Sequence, residues 1–142
     1  MTDWQQAETN THQDHVIAHV LGATVEGHFI WDETAFLLLD IGFIWNIYLD
    51  GEMGLVPQRL AIDELEASSD IKQQLSADVD IIGLGADRSM LRLITVPASR
   101  SPIETVDFSI AEVSRRLVLT CEDGSLIVET SLETAEVKIY ER

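Results

Sequence analysis

Thr34-Ala35-Phe36-Leu37-Leu38-Leu39-Asp40-Ile41-Gly42-Phe43-Ile44-Trp45-Asn46-Ile47-Tyr48-Leu49-Asp50-Gly51 is the densest apolar run in the 142-residue chain, and its reading decides the fold. A bilayer-spanning helix needs roughly 20 mostly apolar residues, whereas Asp40 and Asn46 interrupt this shorter run, so no membrane span is expected. Phe43, Ile44, Trp45, Ile47 and Tyr48 are aromatic or β-branched and suit a pleated surface better than a helix interior. The run reads as extended chain buried on both faces, bent near Gly42, where a lone glycine in a strand marks a bulge or a close approach. Asp50-Gly51 suits a type I′ turn, with positive φ at both central residues, and reverses the chain into Glu52 to Val56. Fully burying one large apolar side chain contributes about 1.5–3 kcal/mol, against about 1–2 kcal/mol of backbone entropy per ordered residue. A run this dense therefore makes the centre of the core.

Outward from it, Thr24 to Trp31 alternates like a half-buried strand, and Asp32-Glu33-Thr34 turns it into the run. Before it, Val16, Ile17, Val20 and Leu21 recur at helical spacing, with Thr11 as N-cap and Gly22 beyond the end. A helix over about 12–21 competes there with a strand that places Val16, Ala18 and Val20 on one face. Residues 1–11 read as a flexible polar arm, in which Thr2 and Gln5 have the spacing of a helix cap, and 12–142 as one globular domain.

After the run, Pro57 opens a segment of different composition. Leu60, Ile62 and Leu65, an N-cap at Asp70, and Ile71, Leu75 and Val79 four apart predict one or two helices over about 57–77. Val79 to Leu84 and Ser89 to Val96 read as strands about a turn at Gly85-Ala86-Asp87-Arg88. The loop from Pro97 to Pro102 reads as mobile. Ile103 to Val113 follows as a strand with Val106, Phe108 and Ile110 inward. A hairpin about Asp123-Gly124, pairing Cys121 with Leu126 and Leu119 with Val128, puts Leu117, Leu119, Cys121, Leu126 and Val128 on one face. A last strand covers about Ala135 to Tyr140. The expected fold is α+β and mainly β: about eight strands in an antiparallel meander, curled into a barrel or folded as a sandwich, with a short N-terminal helix and the helical insertion.

Charge narrows the function. Nine Lys plus Arg face twenty-five Asp plus Glu, a net charge of −16, and no Lys or Arg precedes Arg59. Nucleic acids and anionic lipid are bound chiefly through Lys and Arg, so neither is an expected partner. The surplus acid either keeps the protein soluble or faces a basic partner, such as a toxin or enzyme whose cationic site it covers. A single cysteine, Cys121, excludes an internal disulfide framework. No basic segment followed by an apolar stretch is found near the amino end, so a cytoplasmic location is expected.

Chemistry has few candidates. All four histidines lie within residues 12–28. His15 and His19, four apart on a helix, have the spacing by which helices hold zinc, with His28 and Glu26 to complete a site and Glu26 as a possible base on bound water. The competing reading is a polar stripe of surface histidines. Arg88, Arg92 and Arg115 make an anion pocket if they converge, since Arg pairs bidentately with carboxylate or phosphate. Gly83-Leu84-Gly85 lacks the following helix of a dinucleotide loop. Cys121, on the inward face of its hairpin, reads as an inert thiol. Ser99 and Ser101 lack a nucleophile-elbow context, and the adjacent acids Asp32-Glu33 and Asp63-Glu64 read as solvated turn and helix residues.

Trp4, Trp31, Trp45 and Tyr48 are aromatic anchors of the kind interfaces favour. The composite expectation is a non-enzymatic binding or assembly protein, engaging a protein partner or a second copy of itself. A small-ligand binder or a metal-dependent enzyme is the alternative.

Overall fold

In the computed structural model, which describes residues 4–85 and 87–142, the central run doubles back at Asp40-Ile41-Gly42 instead of continuing as one bent strand. Two features produce that reversal. The Gly42 N–H donates to the Leu39 carbonyl at 3.3 Å, and Gly42 takes φ +82°. The Leu49-Asp50-Gly51 loop is built the same way: Gly51 N–H donates to Tyr48 O at 2.9 Å, Gly51 has φ +87°, and Tyr48 N–H donates to Glu52 O at 2.7 Å. Of the two residues expected at positive φ, only the glycine has it, so this is a three-residue loop closed by a left-handed residue and not a type I′ turn.

In chain order the elements are β1 (Gln5–Gln6), α1 (Thr11–Val20), β2 (Val25–Trp31), β3 (Thr34–Leu39), β4 (Phe43–Ile47), β5 (Met53–Pro57), α2 (Gln58–Asp63), α3 (Ser69–Leu84), β6 (Ile103–Ala111), β7 (Ser114–Cys121), β8 (Gly124–Ser131) and β9 (Val137–Glu141), with a 3-10 turn at Arg88–Met90. The strands make two antiparallel sheets, β2-β3-β4-β5 and β1-β6-β7-β8-β9. Neither sheet closes into a barrel, so of the two expected architectures the protein adopts the sandwich-like one. No helix among the described residues is long and apolar enough to cross a membrane.

Strand parity explains the layers. Along β3 and β4, Ala35, Leu37, Leu39, Trp45 and Ile47 point at the five-stranded sheet, where they meet Leu117, Leu119, Leu126 and Val128. Val16 and Val20 of α1 close one side of this core. The alternate residues Phe36, Leu38 and Ile44 point the other way, against Ala61, Ile62 and Leu65 of the α2 segment and Leu75 of α3. The central sheet is thus buried on both faces, as its continuous apolar run predicts, and Trp45 is 0% exposed.

Helix boundaries follow local chemistry. The 12–21 segment is helical, but its N-cap is Asn10, one residue before Thr11: Asn10 Oδ1 accepts the Gln13 N–H and Gln13 Oε1 accepts the Asn10 N–H. Ser68, not Asp70, caps α3. The expected strand at Val79 to Leu84 is instead the end of α3, whose apolar residues Ile71, Leu75, Val79 and Ile82 continue one face onto the sheet until Gly85 stops it at φ +66°. The expected strand at Ser89 to Val96 is largely irregular. Asp78, 1% exposed on α3, accepts the N–H groups of Arg92, Leu93 and Ile94 at 2.8–3.2 Å, which removes the donors a strand ladder would use. Only Thr95 pairs with a neighbour, exchanging backbone hydrogen bonds with His28 at the open edge of β2. The turn expected at 85–88 includes Ala86 and the cap expected from Thr2 with Gln5 includes Thr2, and these two residues lie outside the described ones.

The hairpin near Asp123 forms with its register displaced by two: Cys121 pairs with Gly124, Leu119 with Leu126 and Leu117 with Val128. An even displacement leaves every side chain on its expected face. The 97–102 loop is tied down by Ala98 N–H to Glu141 Oε1 at 2.7 Å and Ser99 Oγ–H to Asp123 Oδ1 at 2.6 Å. In the amino-terminal arm, Gln5 and Gln6 pair with Ile110 and Ser109 as an edge strand.

Candidate ligand-binding cleft

Cover over the central sheet stops short of one corner. The row Phe29-Phe36-Asn46-Gly54 crosses the helix-facing side of the four strands. Phe29 and Phe36 stack at 4.7 Å under the helical layer. Beyond them the floor opens into a cleft of about 210 Å³. Asn46 forms part of this floor, and its partner Gly54 contributes no side chain. Trp31 and Tyr48 flank it, and Val56, Ala61 and Leu65 complete the apolar lining. The Trp31 indole N–H donates to Glu66 O at 3.4 Å, which fixes the ring against the segment joining α2 and α3.

Three carboxylates, from Asp32, Glu64 and Glu66, stand around the cleft. A neighbouring depression shares Asp32, Thr34 and Tyr48 and adds Glu33 and Asp50. No Lys, Arg or His lines either one. Asp32 and Glu33 form the β2–β3 turn with φ +49° and +60°, a left-handed backbone that non-glycine residues adopt at a cost. Two acids therefore stay at this corner in a turn that would be less strained with Asn-Gly.

Asn46 is the anomaly of the floor. It is 8% exposed, and its Oδ1 has no hydrogen-bond partner. A buried acceptor left unpaired costs about 1–3 kcal/mol, and buried polar groups are normally satisfied.

The other expected site residues are placed differently. Of the four aromatic anchors, Trp31 and Tyr48 share the cleft, but Trp45 points into the core between the sheets and offers no surface. Tyr48, by contrast, is 45% exposed. Trp4 lies on the other sheet, where the Arg116 guanidinium sits 4.2 Å from its ring centre. Arg116 is directly opposite Glu129 in the ladder, yet Glu129 accepts the Tyr140 hydroxyl instead, and Arg116 Nε is buried without a partner. The ion pair found among the described residues is Lys138–Glu136 at 3.7 Å.

His15 and His19 are exposed on α1, His28 is buried in β2, and Glu26 is half-buried at a β-bulge. Among the described residues no three His, Cys, Asp or Glu side chains gather to hold a metal ion, so His15, His19, His28 and Glu26 are not assembled into a zinc site. Burial lowers the His28 pKa, opposed by Glu141, and burial followed by the Asp40 charge raises that of Glu26. The arginines do not converge either. Arg88 lies on the 3-10 turn, and Arg92 lines a groove of about 560 Å³ beside α3 together with Asp70 and Asp78. Arg115 lies on β7, donating to the Glu112 and Ser114 carbonyls at 3.2 and 3.0 Å. Burial pushes the Cys121 thiol up, away from the thiolate a nucleophile needs.

Asn46 is the residue that sequence reasoning passed over. Its signal is present all the same: a lone amide inside a run whose neighbours are buried on both faces. No family model matches the chain, no curated protein matches it, and no solved structure matches it.

Proposed function

We propose that the protein is a non-enzymatic binding protein that docks a basic partner protein on the corner bearing Trp31 and Tyr48. The observation that supports this reading is the lining of the cleft, where exposed and half-buried aromatic rings stand among carboxylates with no basic side chain between them. Exposed aromatics anchor interfaces, and a one-signed rim steers an oppositely charged partner towards them. Self-association through this corner is opposed, because a two-fold contact would set these carboxylates against their own copies.

The test is capture from a lysate of the source cells with tagged wild type, Tyr48→Ala and Trp4→Ala. A partner held by wild type and Trp4→Ala, lost with Tyr48→Ala and released by salt supports the reading. If no captured protein depends on Tyr48, the reading fails.

A further inference from the structure

We infer that the protein pairs with a second copy of itself along the outer edge of β9, the two β9 strands running antiparallel about a two-fold axis at Ile139 and joining both five-stranded sheets into one. This edge shares no residue with the docking corner, and the inference does not rest on that reading. It stands on the free backbone groups of β9 and on the charges that flank them.

Ladder parity fixes which groups of β9 face outward. Ser125 and Arg142 exchange both backbone hydrogen bonds, at 3.0 and 2.9 Å, and the Ser131 N–H donates to Glu136 O at 3.0 Å. Bonded pairs alternate with unbonded ones in an antiparallel ladder, so the bonded pairs between these are Tyr140 with Ile127 and Lys138 with Glu129. Val137, Ile139 and Glu141 therefore turn their N–H and C=O groups away from β8, and among the described residues no backbone group meets them there. The other edges are at least partly taken. His28 on β2 exchanges hydrogen bonds with Thr95. On β5 the Met53 carbonyl lies 3.0 Å from His12 Nε2, and Pro57 has no N–H to offer. Gln5, Gln6 and Ala7 cover one end of β6, and Gly22 and Ala23 cover the other. An open edge is a template for a further strand.

Charge complementarity selects a second copy as that strand and sets its register. With Ile139 facing its own copy, Lys138 stands opposite the partner's Tyr140, Val137 opposite the partner's Glu141, and Glu136 opposite the partner's Arg142. The Glu136–Arg142 contact occurs on both sides of the axis, and no like charges face each other directly. Shifting the register by two in one direction sets Lys138 against the partner's Lys138. The opposite shift sets Lys138 against the partner's Arg142. Backbone pairing agrees with charge. The Ile139 register makes three bonded pairs (137 with 141, 139 with 139, 141 with 137), each exchanging two hydrogen bonds, whereas either shifted register keeps two such pairs within β9. Val137 and Ile139 already pack against the inter-sheet core, so the two Ile139 side chains meet at its rim and extend it.

The test is sedimentation velocity of the full chain over a series of concentrations at about 0.15 M salt, where a Debye length of about 8 Å screens the repulsion between two acidic molecules. Wild type should pass from monomer to dimer as concentration rises. Arg142→Glu and Glu136→Arg should each weaken the dimer roughly tenfold or more, because two opposite-charge contacts become like-charge ones. The double variant, with the charges exchanged, should recover most of the loss. Both side chains are exposed, so the fold is not at stake. Hydrogen exchange reads the edge directly: the amides of Val137, Ile139 and Glu141 should gain protection with concentration, while those of Lys138 and Tyr140, already bonded to β8, should not change. A monomer at every concentration overturns the inference and leaves the edge to an extended segment of another chain. A dimer indifferent to Arg142→Glu overturns it too, as does a double variant no tighter than the single ones, or protection that does not alternate along β9.

Discussion

Replacing Gly51 by alanine should be among the most damaging single-methyl changes in the molecule, and its cost can be separated into two causes. Gly51 has φ +87°, and a Cβ built there would lie 2.5 and 2.9 Å from Cζ and Cε2 of Phe108. Left-handed backbone costs an L-residue about 1–2 kcal/mol. Forcing a methyl against a ring packed on the core adds about 1–3 kcal/mol, as overpacking usually does. The expected loss is therefore about 2–5 kcal/mol, a large share of the roughly 5–15 kcal/mol that holds a typical domain. Gly42 supplies the control. Its φ is +82° and nothing lies within 4 Å of its Cβ position, so Gly42→Ala should show the dihedral cost alone. Urea denaturation of both variants gives the difference. Adding Phe108→Leu to Gly51→Ala should recover part of the loss in a double-mutant cycle. Equal destabilisation at 42 and 51, or no coupling to Phe108, refutes the claim that the β4–β5 turn is seated on the other sheet.

Further outcomes can be checked with the same tools. Asp78→Ala should cost about 3–5 kcal/mol in urea denaturation and abolish hydrogen-exchange protection at Arg92, Leu93 and Ile94, since it leaves three backbone donors without their acceptor. Asp78→Asn, which keeps one acceptor oxygen, should lose about half as much. His28 sets a pH dependence: its folded pKa lies below its unfolded one, so it contributes nothing well above about pH 6.5. As the pH falls below that point the unfolded chain binds the proton first, and stability drops until the folded pKa is reached. Glu26, with a raised folded pKa, acts in the opposite sense above its unfolded value, so the comparison is wild type against His28→Gln across this range: the variant should lose the fall in stability below about pH 6.5 and keep only the opposing rise from Glu26. Asn46→Leu should raise stability by about 1–2 kcal/mol in urea denaturation, because it erases an unpaired buried acceptor; a destabilised variant contradicts that reading.

How much of this was legible in the sequence depends on which physical quantity each feature rests on. Burial of the central run on both faces was readable, because continuous apolarity from Ala35 to Leu39 leaves neither face for water. Its reversal at Gly42 reads in the sequence only as a bend, since a glycine marks positive φ without saying how far the chain turns. The hairpin faces survived a register displaced by two, where a displacement of one would have inverted them. Val79 to Leu84 was ambiguous for a different reason: a short apolar run fits either a strand or a buried helix, and the deciding partner, the Asp78 carboxylate holding residues 92–94, is a tertiary contact. Trp31 and Tyr48 were legible as anchors, but Trp45 was grouped with them because composition does not reveal parity. In a strand buried on both sides, the residue that meets the other sheet and the one that floors a cleft are neighbours in the chain.

That adjacency ties the cleft to the fold. Trp45 and Asn46 are consecutive on β4, and the pleat sends them to opposite faces, one into the inter-sheet core and the other beneath the edge of the helical layer. On that second face Phe36, Leu38 and Ile44 lie under α2 and α3, whereas Asn46 opens onto the cleft where the helical cover ends. A leucine at 46 would continue the apolar row and lower the free energy of the folded chain. An amide there, with its oxygen unpaired, costs about 1–3 kcal/mol of stability. Positions where folding stability is given up without local compensation are where binding is expected to be served. The same strand thus anchors the core through Trp45 and, one residue on, sets the polarity of the cleft.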